Sequence, residues 1–208
     1  MKYVILSAIL LACFVVLSFL ISSDNSVTKW DTSTFQSINH PHGKIINKIM
    51  VDLTKYGREV VWISVILLLA ILGKKDGRKA AVLLTIAFLI LIPLGTILKS
   101  EIDRTRPSSE NIIVSPDTDP SFPSGHATIV SAGAAILLLR FNKGKQIIFS
   151  VILGIEALLV SYSRIYVGEH YPLDVVGGIL LGTGIACAVI ASSKYMRPIF
   201  SYIDNMKK

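Results

Sequence analysis

The sequence predicts an all-α, polytopic membrane protein of six transmembrane helices, with an extracytoplasmic interfacial helical segment after the first. Three observations carry this. The chain of 208 residues is 52% hydrophobic and only 17% charged. Several of its apolar runs approach the roughly 20 residues that a helix needs to cross a bilayer. Its Lys and Arg residues collect in short segments beside those runs, as membrane topology requires. The net charge of +7 therefore reads as orientation in a membrane, and no nucleic-acid partner is expected. The chain is read as one membrane-embedded domain, residues 1–208, with no internal repeat and no room for a separate soluble domain. Cys13 and Cys187 both fall inside apolar runs and give no disulfide framework.

Residues 3–21, after Lys2, are read as helix one, entering from the cytoplasm and retained. A cleaved signal peptide is the competing reading. The run is long for a signal core, and Leu17-Ser18-Phe19 is not a small-x-small cleavage site. Residues 22–55 are polar and amphipathic. Asp31 or Thr32 is expected to cap a short helix carrying Phe35 and Ile38. Pro41 and Gly43 break it, and Ile45, Ile49, Leu53 and Tyr56 then follow a helical stripe. An interfacial helix results. His40 and His42 have metal-ligand chemistry, but two histidines without further partners read more simply as loop residues.

Helix two is placed at residues 53–73, its strictly apolar part at 60–72, with Arg58 and Glu59 snorkelling at the outer end. A basic turn, residues 74–79, leads into helix three at 80–98, where Pro93 predicts a kink. The long segment 100–126 carries Arg104, Arg106-Pro107 and, at its end, Phe122-Pro123-Ser124-Gly125-His126. Helix four follows at 127–141, a second basic turn at 142–145, helix five at 146–163 and helix six at 173–192. Gly178 and Gly182 have the small-xxx-small spacing that permits close approach of a neighbouring helix. Glu156 is an acid inside an apolar run, about 12 Å deeper along the helix than Arg164. It is expected to face the bundle and to be protonated or paired.

An inward N-terminus places Lys2, residues 74–79, residues 140–145 and the tail from Lys194 in the cytoplasm. These segments hold twelve Lys or Arg and two acids, against nine and eleven on the other side. The bias agrees with the positive-inside rule and puts both termini in the cytoplasm. The same parity gathers four helix ends on the extracytoplasmic side. Lys99 and Arg164 stand at helix C-termini, where cations are favoured. His126 and Asp174 stand at helix N-termini, whose free N–H groups favour anions. Ser124-Gly125 adds a hydroxyl and a backbone that a ligand can approach closely. With Arg106, this set suits a phosphate.

His170 and Asp174 are four apart. On one helical face the carboxylate accepts a hydrogen bond from the ring Nδ1–H, leaving Nε2 free to attack or to take a proton. Pro172 suits the first turn of the helix. Taken singly, these residues read equally well as interface anchors, a turn or a helix cap, and the 163–174 stretch as a charged loop between membrane helices. Taken together at these spacings, they read as a site.

Lys99-x6-Arg106-Pro107, Pro123-Ser124-Gly125-His126 and Ser163-Arg164-x5-His170-x3-Asp174 resemble the three signature blocks of the type 2 phosphatidic acid phosphatase family. That family also includes vanadium haloperoxidases and glucose-6-phosphatases. Every signature position is present, in order and at the family spacing, and the six-helix plan extends the likeness over nearly the whole chain. By this resemblance His170 is the nucleophile, forming a phosphohistidine. Asp174 orients it, and His126 protonates the leaving oxygen. Lys99, Arg106 and Arg164 hold the phosphate oxygens, helped by Ser124 and Gly125. No metal and no cofactor is implied, because the cations supply a metal's electrostatic work.

The expected function is a membrane lipid phosphatase acting at the extracytoplasmic face. Its partners are a lipid phosphate and the surrounding membrane lipids; oligomeric state stays open. Polyprenyl diphosphate, yielding the monophosphate, is the expected substrate, with Arg104 placed to contact the second phosphate. Phosphatidylglycerol phosphate and phosphatidate are the alternatives. A transporter or scaffold on the same fold, and oxidative halide chemistry on bound vanadate, are readings of other classes. Residues 31–56 are expected to border a lateral entrance for the lipid.

Overall fold

A computed structural model describes residues 1–23, 26–40, 43–115 and 117–206. The described chain forms α1 (Lys2–Ile21), α2 (Ser26–Ile38), α3 (Lys44–Tyr56), α4 (Glu59–Ile71), α5 (Lys75–Ile102), α6 (Gly125–Arg140), α7 (Gln146–Tyr166) and α8 (Pro172–Ser192). A 3-10 turn (Ser193–Met196) and α9 (Arg197–Asn205) follow. No strand occurs among the described residues. α1, α5, α7 and the segment that runs from α8 into α9 are long and apolar enough to cross a membrane. α4 and α6 are apolar but shorter, at 13 and 16 residues. At about 1.5 Å per residue they fall short of a hydrocarbon core of about 30 Å by roughly 10 and 6 Å. Both begin beside the motif residues, and their missing turns leave space there for a site.

α8 is the centre of the packing, with α1 on one side and α6 on the other; α6 also packs on α7 and α5, and α5 on α4. The contact of α6 with α8 depends on absent side chains. A Cβ on Gly178 would lie 2.6 Å from the Ser124 carbonyl, and one on Gly182 would lie 2.2 Å from the Thr128 carbonyl. The expectation from their spacing is met. On the other side, Ser7 Oγ donates to the Gly184 carbonyl at 2.8 Å. Phe14 of α1 stacks on Phe122 with ring centroids 5.5 Å apart. Trp62, Leu83, Leu84, Leu91, Ile136 and Leu137 fill the interior.

The structure departs from the expected elements at three places. The apolar stripe through Leu53 suggests unbroken helix into residue 60 and beyond, but α3 ends at Tyr56 and α4 starts at Glu59. At the break the chain crosses closely over α7: a Cβ at Gly57 would meet Val160 Cγ2 at 2.2 Å. Asp31 does not cap a helix at its own position. It lies inside α2, fully buried, and its Oδ1 accepts from the Leu173 N–H of α8 at 2.9 Å. α5, helical through Pro93, runs for 28 residues from Lys75 to Ile102 and so extends beyond the expected 80–98 at both ends. Pro41 and His42, which bear on the expected break and on the histidine pair, lie outside the described residues.

α3 turns its polar side inward. Asn47 Oδ1 accepts from the Tyr166 hydroxyl at 2.6 Å, and Thr54 Oγ1 accepts from Arg164 Nη1 at 2.5 Å. Ile45 and Ile49 are exposed on the opposite side, as suits a helix lying against lipid. α2 and α3 thus lie at the motif end of the bundle. α9 lies at the other end, where Asp204 pairs with Lys79 of α5 at 2.7 Å.

Candidate active site

Four helix ends and two connecting segments supply the site. Lys99 lies in the last turn of α5, whose chain reverses at Asp103 in the left-handed region, φ 47°. The segment after it brings Arg104, Arg106, Asp117 and Asp119 across the end of the bundle. Ser124 is the N-cap of α6; its Oγ accepts from the Ala127 N–H at 3.5 Å. The hydroxyl proton remains able to donate elsewhere. Arg164 lies in the last turn of α7, and Asp174 in the first turn of α8 after Pro172. His170 precedes that helix by two residues.

The cations form a connected set. Lys99 Nζ donates to Asp119 Oδ2 at 2.5 Å. Arg106 donates to Asp119 Oδ1 at 2.6 Å and to Glu169 Oε2 at 2.6 Å. Arg164 reaches Asp117 Oδ2 at 3.1 Å and Glu169 Oε2 at 3.4 Å. Burial opposes ionisation of Asp119, but the hydrogen bonds from Lys99 and Arg106 outweigh it and hold its carboxyl at about 2. Glu169 is the reverse case. Burial prevails over Arg164 and Arg106 and pushes its carboxyl up. Glu169 bridges two motif cations although it carries no expected role. The sequence signal for it is its position between Arg164 and His170. Asp117 and Asp119 carry no such signal, since loop residues follow no period.

His170 is 1% exposed. Its Nε2 lies 3.5 Å from Arg106 Nη1, and its Nδ1 lies 3.5 Å from Asp174 Oδ2. Nδ1 makes no hydrogen bond to the described residues, so the expected ring-to-carboxylate hydrogen bond is an approach here and not a formed bond. Burial, and then the charges of Arg164, Arg106 and Lys99, hold the ring well below the ordinary imidazole value. Near pH 7 the ring is neutral. Asp174 is instead engaged by the Tyr171 N–H at 2.9 Å and by Arg104 Nη1 at 2.5 Å.

Arg104 requires a correction. The residue expected to contact a second phosphate is held between Asp174 and Asp31, the latter at 2.7 Å, and lies over the Tyr171 ring at 4.3 Å. Burial works against its charge, and Asp174 and Asp31 outweigh it. It joins α2 to the start of α8 and positions Asp174.

His126 stands on the other side of the site, its Nδ1 3.5 Å from Nη1 of Arg58, the N-cap residue of α4. A cavity of about 480 Å³ connects His126 to His170. Its polar end carries Lys99, Asp117, Asp119 and Arg58 with Gly125; its apolar wall is Trp62, Ile63, Phe88, Leu91, Ile92 and Ile129. Ile63 of α4 and Ile92 of α5 are both exposed on the outside of the bundle. The wall therefore runs between α4 and α5, and not along residues 31–56 as expected. Glu156 stands behind it, with Oε2 accepting from Trp62 Nε1 at 3.2 Å. Of the eight expected site residues, Lys99, Gly125, His126 and His170 line the cavity. Arg106, Arg164, Ser124 and Asp174 are gathered directly around them.

Residues 78–198 match the family model described as PAP2 superfamily. The chain is 44% identical over 186 residues to an undecaprenyl-diphosphatase of Sulfolobus acidocaldarius, covering 86% of each protein. It is 28% identical to the undecaprenyl-diphosphatase BcrC of Bacillus subtilis, over 78% of this chain and 82% of that one. Among solved structures it resembles a transmembrane PAP2-type phosphatidylglycerolphosphate phosphatase of Bacillus subtilis. That likeness has a TM-score of 0.75 at 25% identity, over 91% of this chain and 96% of that one.

Proposed function

The chain belongs to the PAP2 superfamily and is a membrane phosphatase, and on that premise we propose that it converts a polyprenyl diphosphate to the monophosphate and inorganic phosphate through a phosphohistidine at His170. The observation that carries the mechanism is His170 itself: buried, neutral and surrounded by cations, with Nε2 turned toward Arg106. The terminal phosphate lies among Lys99, Arg106 and Arg164, with the Ser124 hydroxyl and the Gly125 backbone on its remaining oxygens. These donors neutralise the charge that builds on the equatorial oxygens of the transition state.

In the first step His170 Nε2 forms a bond to phosphorus and the bond to the bridging oxygen breaks. His126, which takes up a proton together with the anionic substrate, gives that proton to the bridging oxygen, and the polyprenyl monophosphate leaves. In the second step the now neutral His126 takes a proton from water. The water oxygen attacks phosphorus, the P–N bond breaks, and inorganic phosphate departs. Asp174, held by Arg104 and the Tyr171 amide, offsets the positive charge on the His170 ring while phosphorus is attached. The apolar wall between α4 and α5 receives the first units of the lipid chain, so the tail never leaves the bilayer.

The whole chain acts as one phosphatase unit, with both termini in the cytoplasm and the site on the extracytoplasmic side. The positive-inside bias supports this sidedness. The likeness to the Sulfolobus undecaprenyl-diphosphatase supports the substrate. The likeness to the phosphatidylglycerolphosphate phosphatase supports a second reading, a glycerolipid phosphate. Competition in mixed micelles between a polyprenyl diphosphate, phosphatidylglycerol phosphate and phosphatidate, with phosphate release as readout, decides between them. The diphosphate should be consumed first, with chelator present or absent. Preference for either glycerolipid overturns the substrate and leaves the phosphatase.

A further inference from the structure

We propose that Arg58 binds the leaving phosphate and is the residue that makes the site selective for lipid diphosphates over lipid monophosphates. This rests on the functional reading above. Arg58 belongs to none of the three motif blocks. It stands at the break between α3 and α4, next to the close crossing at Gly57. Its Nη1 lies 3.5 Å from His126 Nδ1 and 3.6 Å from where a Cβ on Gly125 would stand. Its Nε and Nη2 donate to the carboxylate of Glu59, which lines the same cavity, so Nη1 is the edge turned to His126. The guanidinium is therefore aimed along one edge into the cavity that it lines.

The chemistry of the leaving group follows from that position. His126 delivers a proton to the leaving oxygen, so the group beside His126 contacts whatever is attached to that oxygen. Lys99, Arg106 and Arg164 are committed to the carboxylates around His170, where the transferred phosphoryl group lies. Arg104, the other candidate for a second phosphate, is enclosed by Asp31 and Asp174. That leaves Arg58 on the leaving-group side. A diphosphate loses a lipid monophosphate, an anion whose charge grows as the bridge breaks. A lipid monophosphate loses an alcohol, which offers Arg58 no charge to hold. One turn beyond Arg58, Trp62 and Ile63 begin the apolar wall. A phosphate held at Arg58 thus delivers its lipid chain directly to that wall.

The test uses the full-length protein in detergent micelles, with Arg58→Gln and Arg58→Lys beside the wild type. Each is assayed on a polyprenyl diphosphate and on phosphatidate, and for inhibition by the polyprenyl monophosphate and by vanadate. Loss of a charge-assisted contact corresponds to a fall of about 10- to 100-fold. Arg58→Gln should lose that much kcat/KM on the diphosphate and weaken monophosphate inhibition to a similar degree. Turnover of phosphatidate and inhibition by vanadate should change less than about threefold. Arg58→Lys should recover part of the loss. Equal losses on both substrates, or weakened vanadate inhibition, would place Arg58 at the transferred phosphate or in the scaffold and overturn the proposal. Unchanged diphosphate turnover would overturn it too. A wild-type enzyme that ignores the diphosphate refutes the functional reading first, through a different measurement.

Discussion

The His170 ring is deprotonated in the folded protein and takes up a proton in the unfolded chain below about pH 6.5. The folded value is depressed, so between it and about 6.5 the unfolded state binds more protons. Stability therefore rises with pH through that window and levels off above it. Asp119, held at about 2, stays ionised throughout the range from pH 5 to 7.5. Glu169, raised by burial, works in the opposite sense. The comparison is accordingly between wild type and His170→Gln in thermal unfolding from pH 5 to 7.5. The wild-type midpoint should fall more steeply on acidification; parallel curves would show that the ring is not held neutral. At pH 7, His170→Ala should remain folded and release no phosphate, and near-normal turnover would remove the covalent mechanism.

At the scale of helices, what could be read in the sequence and what could not divide along physical lines. The long apolar helices were legible because their runs are continuous, and the contact of α6 with α8 because Gly178 and Gly182 recur at one turn. Lys99 and Arg164 were legible because they stand at helix C-termini, where cations are favoured, and Arg106, His126 and His170 only through the spacing of the motif blocks. The break at Gly57 was hidden, since the apolar stripe runs through it and the close neighbour there is a side chain on α7. Asp31 was hidden for the same reason. Its partners Arg104 and Leu173 lie 73 and 142 residues away, and no local pattern announces them. Glu156 was legible in part: its pairing followed from the cost of a buried charge, but the partner Trp62 did not. Glu156→Gln should keep a carbonyl oxygen for the Trp62 N–H, with stability changed by less than about 1 kcal/mol and activity within about threefold. Glu156→Leu leaves that N–H without an acceptor and should cost about 1–3 kcal/mol. Thermal unfolding and phosphate release on both variants check this, and a large activity loss in folded Glu156→Gln would give the carboxylate a charge-dependent role.

For the molecule as a whole, the site end and the α9 end should face opposite compartments. A cysteine at exposed Ser108, in a Cys13→Ser background, should react with an impermeant thiol reagent added to intact cells, and one at exposed Lys143 should not. Gly77, an obvious choice in the first basic turn, is buried in α5 and would report packing in place of sidedness. The reverse labelling pattern would put the site in the cytoplasm. A last consequence comes from the carboxylates on Lys99, Arg106 and Arg164. These cations are paired with Asp117, Asp119 and Glu169. On the proposed mechanism, phosphate enters by exchange of one anion for another, and its affinity is the difference between two strong attractions. A bare trio of cations would retain inorganic phosphate and stall after each cycle. Internal competitors keep the grip weak at the end of the reaction, when release matters, and leave the transition state, with its larger charge, as the species held best.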